Sequence, residues 1–163
     1  MKYLIASLLA VVVLVGTSAS FVRAEPLIDS RTQLQLTPPE GWTVETNDDT
    51  LTVTSPDSLA TVVMMTLDSG DIDAALAGLG EELAKIVTDL KISDETKEHE
   101  LNGLPAISAS GTAKLEGTPV DLAVAVVDAG DHCLLVFALG TTEGLQAHSD
   151  AVNAMFASIQ KND

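Results

Sequence analysis

Few residues in this chain are equipped for chemistry. The sequence holds one cysteine and three histidines among 163 residues. Cys133 directly follows His132 in "GDHCLLVFALG" (130–140). A thiol beside an imidazole can make a nucleophile with its base, or half a metal site. The local spacing argues against both. The stretch reads as the start of a strand, and neighbouring strand side chains point to opposite faces. Cys133 then shares a face with Leu135, Phe137 and Leu139, which predicts a buried, inert thiol. His132 sits beside a turn and is expected to be exposed.

The other histidines offer no better constellation. His99 lies in "KEHELNG", where a helical zinc-protease motif would need a second histidine four residues on. Gly103 stands there instead. His148 falls on the apolar stripe of a terminal helix, where a hydrogen-bonded border histidine is expected. No spacing among the three resembles a zinc ligand set. "LDSGDID" (67–73) gathers Asp68, Asp71 and Asp73 around a glycine. These carboxylates are the candidate metal ligands, although the order differs from that of a calcium loop. Asp71 is also the natural cap of the helix that follows. No nucleophile elbow, Ser-x-x-Lys, phosphate-cradling loop or dinucleotide fingerprint occurs. The sequence therefore nominates no catalytic residue and no cofactor.

The elements that must position these residues are legible in the apolar pattern. "RTQLQL" and "WTVETNDDTLTVTSP" alternate as short strands, broken at Pro38-Pro39-Glu40-Gly41 and at Asn47-Asp48-Asp49. "LATVVMMTLD" (59–68) is apolar on both strand faces, as a strand covered on both sides must be. From Ile72 to Leu90 apolar residues recur at three- and four-residue steps, which predicts a helix over 71–92. Gly78 and Gly80 weaken it by about 1 kcal/mol each relative to alanine. Residues 93–103 are polar and read as an extended edge strand. Three antiparallel strands follow, linked at Glu116-Gly117 and at 128–131. Leu145, His148, Val152, Met155, Phe156 and Ile159 mark a second helix across 141–161.

The later strands are apolar on both faces. Leu122, Val124 and Val126 oppose Ala123, Ala125 and Val127. Two helices are available to cover them. The predicted fold class is α+β, a three-layer α/β/α sandwich whose antiparallel sheet carries one long helix on each face.

Charge and compartment narrow the function. Residues 25–163 hold all 24 acidic residues but only six of the eight basic ones, for a net charge of −18. That surface repels phosphate backbones and anionic membranes, so nucleic acid is excluded as a partner. The first 24 residues have a lysine, an apolar run from Leu4 to Gly16, and Val22-Arg23-Ala24 before Glu25. This is the layout of a secretory signal peptide. The run is shorter than the ~20 residues of a membrane span. The predicted organisation is a signal peptide at 1–24 and a single domain at 25–163, periplasmic or secreted. A lone cysteine leaves that domain to be held by burial rather than by an internal disulfide.

"LTPPEGWTVE" near the start of the domain resembles the opening of PsbP-like and DcrB-like bacterial envelope proteins. "NGLPAISASGTAKLEGTPVDLAVAVV" is similar to their central hairpin, and "HSDAVNAMFASI" to their closing helix. The resemblance covers most of residues 32–160 and is carried by structural residues. It implies an α/β/α sandwich around an antiparallel sheet. It also implies a largely non-enzymatic role, and it brings no catalytic residue. The reading that results is an exported, non-catalytic accessory or protein-interaction module of the cell envelope. The expected partner is another envelope protein, and the chain itself is expected to be a monomer. The alternatives are a small-ligand or divalent-cation (calcium-type) binding protein of the periplasm, and an unrecognised hydrolase.

Overall fold

The structure, a computed structural model, describes residues 25–163; the stretch read as a signal peptide lies outside the described residues. Among the described residues eleven strands and three helices follow one another. Strands β1 (Leu27–Ile28), β2 (Leu34–Leu36) and β11 (Gln160–Lys161) form a small sheet in the order β1-β2-β11. The large sheet is built from β3 (Thr43–Asn47), β4 (Thr50–Thr54), β5 (Ala60–Leu67), β6 (Thr88–Ile92), β7 (Lys97–Leu101), β8 (Leu104–Leu115), β9 (Thr118–Asp128) and β10 (Cys133–Gly140). Its order is β3-β4-β5-β10-β9-β8-β6, with β7 also paired to β8. Every pairing in both sheets is antiparallel.

The middle of the sheet explains the doubly apolar strands. β10 lies between β5 and β9 in unbroken register, and all eight of its residues are buried. Cys133, Leu135, Phe137 and Leu139 enter one core, which is closed by Ala75, Leu79 and Leu83 of helix α1 (Ile72–Ala84). Leu134, Val136 and Ala138 enter the other, which is closed by Val152 and Met155 of helix α3 (Ser149–Ala157) together with Leu34 and Leu36 of β2. Burying each large apolar side chain contributes about 1.5–3 kcal/mol. Two filled cores on one sheet stabilise the domain without a disulfide.

The layers agree with the expected sandwich, but its helices are shorter than predicted. The helix predicted over 71–92 ends at Ala84. Residues 88–92 instead form β6 and pair with β8 at the edge of the sheet. Leu90 and Ile92 still reach the α1 core, so a strand spacing of two blended into the helical stripe. The second predicted helix is interrupted at His148, where φ is −106° and ψ 12°. It becomes α2 (Thr142–Ala147) and α3, and the tail pairs with β2 as β11. A second small sheet and two short helices therefore cover the face that one long helix was expected to cover.

The hairpin turns follow local chemistry. Asn102-Gly103 and Glu116-Gly117 each hold two consecutive positive φ angles, at 51° and 82° and at 51° and 84°. Two-residue hairpins favour this conformation because its twist matches that of the strands.

Candidate functional site

Cys133 and His132 have different surroundings, because β10 begins at Cys133 and His132 lies in the bend before it. The Cys133 thiol is fully buried in the α1 core. Burial, reinforced by the charges of Asp128 and Asp71, pushes its pKa up to about 11. It is a protonated, inaccessible thiol at neutral pH. His132 is half-buried rather than exposed, and its Nδ1 is enclosed with no hydrogen-bond partner. The 128–131 turn lies close to the β5–α1 loop, where a Cβ on Gly70 would come 2.7 Å from the Gly130 carbonyl oxygen.

The three aspartates of the β5–α1 loop have separate roles. Asp68 pairs with the Arg31 guanidinium. That hydrogen bond and charge, with a further contribution from His132, hold the Asp68 carboxyl below its ordinary value. Asp71 caps α1, with Oδ1 accepting from the Ala74 N–H at 2.9 Å. Asp73 lies exposed in the first helical turn, where its charge suits the helix dipole. Among the described residues no three histidine, cysteine or acidic side chains are grouped to hold a metal ion.

Two polar residues here are not apparent from sequence reasoning. Asp29 is 7% exposed, and its Oδ2 accepts from the Thr32 N–H at 2.7 Å, the Thr32 hydroxyl at 2.6 Å and the Thr66 hydroxyl at 2.8 Å. It anchors the turn between β1 and β2 to β5. The local signal is Asp29 placed three residues before Thr32, the spacing of a side-chain-stabilised turn. The contacts of Arg31 with Asp68 and of Thr66 with Asp29 span 37 residues, and no local pattern marks them.

His148 is the hydrogen-bonded border histidine expected from its stripe. Its Nε2 meets both oxygens of Asp57, and Trp42 meets its ring edge-on at a centroid distance of 5.3 Å. Ser55, Asp57 and His148 are the components of a serine triad in the wrong order. Ser55 Oγ donates to Asp57 at 2.6 Å, not to the histidine. The same Oγ accepts from the Ala60 and Leu59 N–H groups at 3.0 and 3.2 Å, and Ser55 is 2% exposed. A nucleophilic serine must donate to the imidazole and face substrate. This one stabilises a turn.

A hydroxyl also approaches an imidazole on the outer strands. Ser108 Oγ lies 3.3 Å from His99 Nε2, while His99 Nδ1 contacts the Lys97 carbonyl at 3.2 Å. His99 stands on the exposed strand β7, in open solvent. An open cleft of about 570 Å³ crosses β6, β8 and β9, and Lys91, Lys114 and Asp121 line it. Lys114 pairs with Asp89 at 2.7 Å, and Asp121 accepts from the Thr142 hydroxyl at 2.7 Å.

A three-layer sandwich with an antiparallel middle sheet and structural polar pairs defines a class of fold. No protein-family model matches the sequence, and no curated protein matches it. Solved structures do match. The cyanobacterial PsbP of Synechocystis sp. PCC 6803 aligns with 90% of this chain and 98% of its own at 9% identity, TM-score 0.59. LpqN of Mycobacterium tuberculosis, a protein involved in cell envelope biogenesis, aligns with 83% of this chain and 88% of its own at 18% identity, TM-score 0.55. A Bacteroides thetaiotaomicron protein aligns with 87% of this chain at 11% identity, TM-score 0.60, and this chain spans only 50% of its length. A Mog1 variant also aligns, with 87% of this chain and 97% of its own at 11% identity, TM-score 0.55, and the fold is the one that PsbP and Mog1 share.

Proposed function

We propose that this chain is an exported, non-catalytic accessory module of the bacterial cell envelope that acts by binding another envelope protein. One observation carries the reading: the thiol, the Ser55–Asp57–His148 group and the candidate ligands Asp68 and Asp71 are engaged in holding the fold. Cys133 is buried, Asp57 holds His148 and Ser55, Asp68 holds Arg31, and Asp71 caps α1. The fold likeness to an envelope-biogenesis protein supports the compartment. So does the signal-peptide layout of residues 1–24. No helix among the described residues is long and apolar enough to cross a membrane.

The test is chemical crosslinking of the tagged chain in intact cells, followed by fractionation. The expected outcome is a cleaved chain in the envelope fraction, joined reproducibly to one envelope protein. A chain that stays in the cytosol, or that joins no protein above the background of an unrelated acidic control, overturns the proposal.

A further inference from the structure

The two edges of the large sheet differ in their protection. A sheet edge presents unpaired N–H and C=O groups, and proteins guard such edges with charges, bulges or proline. One edge here is guarded. β6 is interrupted between Thr88 and Lys91, with Asp89 at a φ of 52°. β7 pairs with the side of β8 that β9 leaves free, so it lies on the same edge, and it carries Lys97, Glu98 and Glu100.

The opposite edge, β3, has neither a bulge nor a proline. It pairs with β4 in unbroken register from Thr43↔Thr54 to Asn47↔Thr50. It contains no proline and one charge, Glu45. All five of its side chains are exposed, Val44 by 38%, and none belongs to either core. Among the described residues nothing pairs with its outer side. Asp48-Asp49 closes a two-residue turn, which makes Asn47↔Thr50 a hydrogen-bonded pair. The alternation of an antiparallel ladder then turns the backbone groups of Val44 and Thr46 outward.

We infer that the outer edge of β3 receives an extended, basic segment of a partner protein, which adds to the sheet as a further antiparallel or parallel strand. The inference rests on the interaction-module reading above and locates its surface. Main-chain hydrogen bonds to Val44 and Thr46 supply the binding, as in other strand additions. Charge selects the occupant. Glu45 lies on β3, and Asp48 and Asp49 form the turn that ends it, on a chain of net charge −16. Lysine or arginine on the incoming strand meets opposite charge there. A second copy of this chain brings the same negative charge, and a two-fold pairing centred on β3 sets Glu45 against itself.

The probe is a short synthetic peptide of alternating lysine and valine, with an alternating glutamate and valine peptide as control. Amide hydrogen exchange is read residue by residue. At a lysine-peptide concentration roughly ten times its Kd, exchange at Val44 and Thr46 slows roughly tenfold. The glutamate peptide leaves it unchanged. Thr46→Pro removes one outward N–H, and Glu45→Lys reverses the local charge. Either abolishes the protection, which in Thr46→Pro is read at Val44 alone, while an unchanged melting temperature shows that the variant is folded. If Thr46→Pro unfolds the chain, Glu45→Lys decides alone. Protection at β6 or β7 instead, equal protection by both peptides, or no protection overturns the inference. So does protection of Val44 and Thr46 before any peptide is added, because the edge is then already occupied. If crosslinking recovers an envelope partner that Thr46→Pro and Glu45→Lys still bind, the module reading stands and the β3 inference fails.

Discussion

The Nε2 of His148 lies 2.9 and 2.8 Å from the two carboxylate oxygens of Asp57, and this pair ties the junction of α2 and α3 to the turn between β4 and β5. Trp42 closes the corner from the side. The pair joins positions 91 residues apart and sits where the predicted second helix is interrupted.

The corner predicts an acid-dependent loss of stability. Hydrogen bonds from Ser55, then from His148 and the Leu59 N–H, pull the Asp57 carboxyl from 3.8 down to about 2. A carboxyl lowered on folding stabilises the native state above its unfolded value, and that contribution disappears as pH falls through the folded value. The melting temperature of the wild type should therefore fall more steeply than that of Asp57→Asn between about pH 4 and pH 2. Trp42, the only tryptophan, reports the transition by fluorescence. Parallel curves would show that the carboxylate contributes nothing.

The thiol provides a test of the non-catalytic reading. Cys133 should be inert to an aromatic disulfide reagent in the native protein and react only at the rate of unfolding. Cys133→Ser places a hydroxyl in the α1 core and should cost about 1–3 kcal/mol in urea unfolding. Rapid labelling without denaturant would contradict the buried placement.

Alanine at glycine should have opposite signs at two places. A Cβ on Gly140 would lie 2.3 Å from the Leu59 carbonyl oxygen, and one on Gly144 would lie 2.4 Å from the same atom. That oxygen belongs to the backbone and cannot swing aside, so Gly140→Ala and Gly144→Ala should each destabilise by about 1–3 kcal/mol. A Cβ on Gly78 meets nothing within 4 Å in the interior of α1. Gly78→Ala should stabilise by up to about 1 kcal/mol. Thermal melts of the three variants decide the matter.

Cations should leave the protein unmoved. With Asp68 paired to Arg31 and Asp71 capping α1, millimolar calcium at fixed ionic strength should not shift the melting temperature. A rise that Asp68→Asn or Asp71→Asn abolishes would establish the cation reading instead.

Much of the fold is legible in local spacing. β5, β9 and β10 are apolar on both faces, so two covering layers follow from the pattern alone. Asp71 as a cap, Glu116-Gly117 as a turn and Cys133 as a core residue all depend on neighbours within a few positions. The errors have a common source. Leu90 and Ile92 fill the same core whether residues 88–92 are helix or strand, so hydrophobic position could not separate the two. Only the pairing with β8, about twenty residues further on, makes β6 a strand.

The polar contacts were less accessible still. Arg31 reaches Asp68, Asp29 reaches Thr66, and His148 reaches Asp57 across 37, 37 and 91 residues. Hydrogen bonds are directional and short, and a linear pattern carries no distance between remote positions. Apolar periodicity therefore determined the layers, the turns and the burial of the lone thiol. Tertiary structure alone decided where the last helix is interrupted, how the polar groups pair, and that β3 stands at the sheet's end with its backbone facing solvent, because those outcomes depend on which strands lie side by side.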